Sequence, residues 1–131
     1  MSTGDDRFGA DAEEAAEAFF AGHAFPLAVY HRVTEMLDAI GPTDSGTTRS
    51  QIAFRRRRAF AWLWMPGRWL TRPGAEVVLS IALGHRDESA RWKEVAHPSK
   101  AVWMHHLEVH SLGDLDDEVL SWLRDGWEGA G

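Results

Sequence analysis

Residues 103–110 read WMHHLEVH and bring His105, His106, Glu108 and His110 into one short stretch. Imidazole and carboxylate are the ligands that zinc and related metals take where thiolates are lacking, and this chain has no cysteine. The alternation of apolar and polar residues around the histidines predicts a β-strand. On a strand, His106, Glu108 and His110 share one face, while His105, Leu107 and Val109 share the other. Residues i and i+2 can meet on one ion, whereas i and i+4 lie about 13 Å apart along an extended backbone. A mononuclear site would therefore need a ligand from elsewhere, such as His97 or His85, and we expect neither a metal site nor a cofactor. His105 falls in the apolar parity, so it is expected to be at least partly buried and to need a hydrogen-bond partner.

A second group lies in RWKEVAHPSKAVW, residues 91–103, where Arg91, Lys93, His97 and Lys100 alternate with Trp92 and Trp103. Cations can pair with a carboxylate or phosphate while indole rings form a stackable wall, a mixture suited to a small anionic or aromatic ligand. The third is RRRR, Arg55–Arg58, followed by Phe60, Trp62 and Trp64. Strand alternation sends Arg55 and Arg57 one way and Arg56 the other, so four charges cannot face one row of phosphates. Cross-strand ion pairs and arginine stems lying over apolar surface account for the run without any ligand. Taken together, these segments predict a pocket in which Arg56, Lys93 and His97 meet negative charge. Trp62, Trp92 and Trp103 form its walls, and His105 is a buried hydrogen-bonding member.

Elements that must position these residues are legible as changes of period. From Asp11, DAEEAAEAFFAG spaces Ala12, Ala15, Ala16, Phe19 and Phe20 helically, with acids in the first turn and Gly22 as a stop. Pro26 suits the first turn of a second helix whose stripe is Val29, Val33, Leu37 and Ile40. Strands follow at SQIAFRRR, at AFAWLWMP with both faces apolar, and at EVVLSIAL with Val77, Leu79, Ile81 and Leu83 inward. Residues 84–101 read as a long connection, then comes the histidine strand. A last helix is capped at Asp114, with Leu115, Val119, Trp122, Leu123 and Trp127 on one face. Helix, helix, strands and helix without strand–helix–strand alternation predict an α+β fold. We expect an antiparallel sheet of four to five strands with two N-terminal helices and one C-terminal helix on one face. The expected organisation is a flexible tail at 1–10, a single domain at 11–127 and a short tail at 128–131.

The 131 residues suffice for one domain with one core. A net charge of −6 argues against general nucleic-acid binding, although twelve of the fourteen basic residues are arginine. No apolar run is long enough to span a bilayer, and the acidic N-terminus lacks the basic and apolar parts of a signal peptide; a cytoplasmic location without membrane attachment is expected. Phosphate-cradling glycine loops, nucleophile elbows and paired-histidine zinc helices are absent. Seven tryptophans exceed what a core of this size requires. An exposed aromatic sheet face serving a homodimer or adaptor contact is therefore the alternative to ligand binding, and an enzyme of unrecognised, metal-assisted type is a second alternative.

The blocks VYHRVTEMLDAIGP, TRSQIAFRRRRAFAWLWMPGRWL, VVLSIAL, SARWKEVAHPS and WMHHLEVHSLGDLDDEVLSWL resemble a bacterial family known as domain of unknown function 5655. The resemblance covers most of residues 23–127. It implies a small α+β fold related to the YdhG-like group, and no activity, substrate or catalytic residue. Arg49, Ser50, Phe54, Arg56, Trp92, Lys93, His97, Pro98, Trp103, His105 and His106 all stand in those blocks.

Overall fold

A computed structural model describes residues 10–131. The tail expected at the N-terminus lies outside the described residues except for Ala10, which already opens the first helix. Helix α1 (Ala10–Phe19) is rich in alanine, with Asp11 and Glu13 in its first turn. The chain then reverses through Gly22, whose φ of 81° lies in the left-handed region that glycine enters freely. Helix α2 (Ala24–Ile40) buries Val29, Val33 and Leu37 as the stripe predicts, adding Tyr30 and Met36.

Six strands follow: β1 (Asp44–Thr47), β2 (Ile52–Arg55), β3 (Ala59–Trp64), β4 (Val77–Leu83), β5 (Glu94–Ser99) and β6 (Val102–Val109). Helix α3 (Asp117–Gly129) closes the chain. All pairings are antiparallel, in the order β1-β2-β3-β4-β6-β5. The fold is α+β, with one strand more than the upper expectation. Among the described residues, no helix is long and apolar enough to cross a membrane.

The two strands that the sequence reading passed over, β1 and β5, are the edges of the sheet. Edge strands need no alternation of apolar side chains, because little covers them, so their sequences DSGT and EVAHPS carry no period of two. β5 also tolerates Pro98 within a break of register between Ala96 and Ser99, since an edge can forgo a donor. The long connection expected at 84–101 is thereby shortened to residues 84–93.

Register sorts the side chains into two faces. One face carries the rows Ile52–Leu63–Leu79–Leu107 and Phe54–Ala61–Ile81–His105, and packs against the helices. Its edge is extended by Tyr30 of α2, whose ring stacks on Phe54. Helix α3 approaches closely because Gly126 has no side chain: a Cβ there would stand 3.2 Å from Phe60 and 3.3 Å from Ile81. The other face carries Ala53–Trp62–Ser80–His106 and Trp64–Val78–Glu108, and Ala53, Trp62, Trp64, His106 and Glu108 on it are only partly buried. β4 is nonetheless buried at Val78 and Ser80 as well as on its helix side, so the tryptophans of β3 themselves shield this second face.

Other local expectations change. Arg56–Arg58 do not extend a strand; they form the β2–β3 turn, and the amides of Arg57 and Arg58 both donate to Ala130 O. The C-terminal segment is correspondingly packed, with α3 reaching Gly129 and Ala130 buried. The cap of α3 is Asp116, which accepts from Val119 N, while Asp114 closes a capping box with Ser111 in the preceding 3-10 turn, Leu112–Asp114. Acids crowd this entry to the helix, so several can cap, and the turn before it decides which does.

Candidate functional site

Two polar constructions flank the centre of the sheet, one on each face. On the helix side, His105 is fully buried. Its Nδ1–H donates to Trp103 O at 3.0 Å, and its Nε2 accepts from the Asp87 amide at 2.9 Å. Asp87 in turn gathers donors: Trp92 Nε1 and Ser89 N on one oxygen, both at 2.9 Å, and Trp122 Nε1 on the other at 3.0 Å. Burial raises the Asp87 carboxyl, yet these donors, with His105 beside them, outweigh it and hold the group below its ordinary value. Burial also pushes His105 down, against the raising influence of its backbone bonds and of Asp87, so the ring is neutral. Trp92 packs between Trp122, with ring centroids 4.1 Å apart, and His105, at 4.8 Å. Arg91 ties the same connection to α3 through Asp116 at 3.0 Å and Glu118 at 2.8 Å. Every group here is satisfied by protein, which makes this cluster a clasp fastening residues 85–93 to the sheet and α3.

On the open face, Trp62, Trp64 and Trp69 border a cleft of about 480 Å³. Ser80 and His106 form its polar part, and Ser50, Gln51 and Met104 complete its lining. Trp64 Nε1 donates to Ser80 Oγ at 2.9 Å, and Ser80 Oγ lies 2.6 Å from His106 Nδ1. The indole of Trp64 and the imidazole meet edge to face, 6.1 Å between centroids. Burial lowers the His106 pKa; Glu94 opposes it and His105 adds to it, with the net shift downward. Strand pairing explains the assembly: Trp62, Ser80 and His106 occupy one transverse row, and Trp64 stands in the next.

The seven residues predicted to form one ligand site are dispersed. Trp62 alone among them lines the cleft. Trp92 and His105 belong to the clasp on the other face. Trp103 is half-buried at the start of β6, with His97 stacked on it at 3.6 Å and nearly parallel. Lys93 has an exposed side chain, and its amide donates to His106 O at 2.7 Å. Arg56 lies over the Trp127 ring at 3.6 Å and donates to Trp127 O, far along the chain at the end of α3. Sequence reasoning missed Ser80, Trp64 and Trp69. Ser80 was detectable as the polar residue in the outward parity of VVLSIAL, and Trp64 shares parity with Trp62; Trp69, in the loop after β3, carried no periodic signal. Asp87 had no signal, because its partners are distant in sequence.

No group of three or more histidine, aspartate or glutamate side chains placed to hold a metal occurs among the described residues. Neither the curated proteins nor the solved structures include a significant match to this chain. The sequence pattern of one family, described as a domain of unknown function (DUF5655), matches residues 16–130. That match spans the last turn of α1, all of α2, the whole sheet and all of α3, and the chain belongs to the DUF5655 family.

Proposed function

We propose that this protein is a binding domain whose open sheet face takes a small, flat aromatic ligand between tryptophans. The cleft beside Trp62, Trp64 and Trp69 carries the reading: its volume of about 480 Å³ falls within the range of small-molecule sites. Among the described residues, no lysine, arginine, aspartate or glutamate lines it. Of the two ligand characters expected from the sequence, the aromatic one therefore has the better support. Stacking on indole adds about 0.5–1.5 kcal/mol beyond buried area for each ring pair, so two walls suffice for a weak but specific site. The Ser80–His106 pair matches a nucleophile and base in atom types only. Ser80 sits within a central strand whose amides serve the sheet ladder, so no backbone amide beside it is free to form an oxyanion hole. This favours binding over acyl transfer.

Titrating tryptophan fluorescence with flat aromatics such as isoquinoline and indole tests the proposal. A saturable change that is lost in Trp62→Ala is the expected outcome, and no saturable change with any of them overturns it. A second reading rests on exposure: Trp69 and Leu70, beside the cleft, are 63% and 55% exposed and could serve self-association. Light scattering over a wide concentration range that finds only monomer removes that reading. A bacterial, cytoplasmic setting accords with the cysteine-free composition and with the family resemblance.

A further inference from the structure

The hydrogen bonds under the cleft have a direction, and that direction fixes what the cleft offers to a ligand. An indole N–H can only donate, so Ser80 Oγ accepts from Trp64. Ser80 is 3% exposed, and its single hydroxyl proton must find an acceptor. His106 Nδ1, at 2.6 Å, is its partner. Were Nδ1 protonated, Ser80 Oγ would face two donors and its own proton would have no acceptor among the described residues. Nδ1 is therefore bare, and the neutral ring carries its hydrogen on Nε2. The depressed basicity of this imidazole agrees with a neutral ring.

Nε2 of His106 has no hydrogen-bond partner among the described residues, yet no side-chain nitrogen or oxygen there is both buried and unpartnered. The Nε2–H is therefore accessible, on a ring that lines the cleft. The indole N–H groups of Trp62 and Trp69 also donate to no group among the described residues. His106 Nε2–H and the two indole N–H groups thus offer donors around the cleft, Gln51 on its rim brings an amide that can donate or accept, and no carboxylate among the described residues lines it.

We propose that His106 is the specificity-determining residue of this cleft, its Nε2–H reading a hydrogen-bond acceptor on the edge of a planar aromatic ligand. The class of ligand is an aromatic ring bearing an in-plane acceptor, a ring nitrogen or a carbonyl. This inference rests on the open-face cleft being the binding site.

Two measurements test it. The first compares isoquinoline with naphthalene, its all-carbon counterpart, by tryptophan fluorescence in mildly alkaline buffer where isoquinoline is neutral. Isoquinoline should bind about five-fold more tightly, the worth of one net hydrogen bond, and His106→Phe should abolish the preference. Equal affinities, or a preference that survives intact in His106→Phe, overturn the inference while leaving the cleft as a site. Binding of neither compound overturns the cleft itself. The second needs no variant: nitrogen-15 NMR of the histidine rings in the wild-type protein should find Nδ1 of His106 bare and Nε2 protonated. The reverse tautomer refutes the inference.

Discussion

His105 and His106 are adjacent in the chain and stand on opposite faces of the sheet. Both rings are driven toward neutrality by burial, and they adopt opposite tautomers: His105 donates through Nδ1 and accepts at Nε2, whereas His106 accepts at Nδ1. The difference that matters is saturation. On the helix side both nitrogens of His105 meet protein, and the Asp87 clasp beyond it is likewise closed. On the open side the chain from Trp64 through Ser80 ends at His106, with one nitrogen left for solvent or ligand. The same residue type one position apart thus serves cohesion on one face and recognition on the other, because strand parity assigns it to different neighbours.

The comparison breaks most visibly at Asp87. Its replacement by alanine strands the indole N–H groups of Trp92 and Trp122 inside the core, and each unpartnered buried donor costs about 1–3 kcal/mol. Urea denaturation should find Asp87→Ala less stable by about 3 kcal/mol or more. Asp87→Asn keeps one acceptor oxygen and should lose less. If Asp87→Ala is as stable as the wild type, the clasp does not hold the fold together.

Acid should act on both faces with a defined sign. In the unfolded chain a histidine takes up its proton near pH 6.5, whereas folded His105 and His106 resist until lower pH. Below about pH 6.5 the unfolded state therefore binds more protons, and stability falls as pH falls toward the folded values. Each unit of depression is worth about 1.4 kcal/mol. A separate loss begins below about pH 3.8, where Asp87, Asp114 and Asp116, all held low by their donors, surrender the stability that they contribute at higher pH. Stability measured by urea at a series of pH values should show both windows, and His106→Phe should shrink the upper one without touching the lower. A flat profile from pH 7 to pH 5 would contradict the neutral-histidine account.

Ser80→Ala should be milder than any change in the clasp. It removes the hydroxyl between Trp64 and His106, but both of these rings are only partly buried and water can replace it. A loss of about 1 kcal/mol or less is expected in the same denaturation experiment. The His106 tautomer should then cease to be fixed, visible as exchange broadening of its ring nitrogens.

What the sequence revealed follows from where each signal is stored. Periodicity is local, so the α+β class, the inward parity of Val77, Leu79, Ile81 and Leu83, and the burial of His105 were all legible. The strands β1 and β5 were not, because edge strands are largely uncovered and need no apolar alternation. Neither was the clasp, since the pairing of Asp87 with Trp122 depends on how α3 crosses the sheet. The predicted ligand set joined residues by nearness in sequence and by type. Trp92 and His97 are five positions apart, yet one lies in the core and the other on the edge strand. The cleft instead gathers β3, β4 and β6 through register, and register comes from the order of strands, which composition does not encode.

The smallest stability effect and the sharpest functional one should coincide at Trp69. Its ring is 63% exposed, beside the cleft and outside the core, so truncation removes little buried surface. Trp69→Ala is expected to change unfolding free energy by no more than about 0.5 kcal/mol, as for other surface positions. If the open face is a recognition surface, the same variant must weaken aromatic binding, because one wall of the cleft is gone. Trp122→Ala makes the opposite pattern: it hollows the core and releases Asp87 from one donor, so stability should fall by about 3 kcal/mol or more. Measuring both quantities on both variants separates the faces in a way that neither measurement does alone. Loss of binding at Trp69 with stability intact assigns function to the open side. Intact binding in Trp69→Ala would leave its exposed indole to self-association, which the concentration dependence of light scattering would then register.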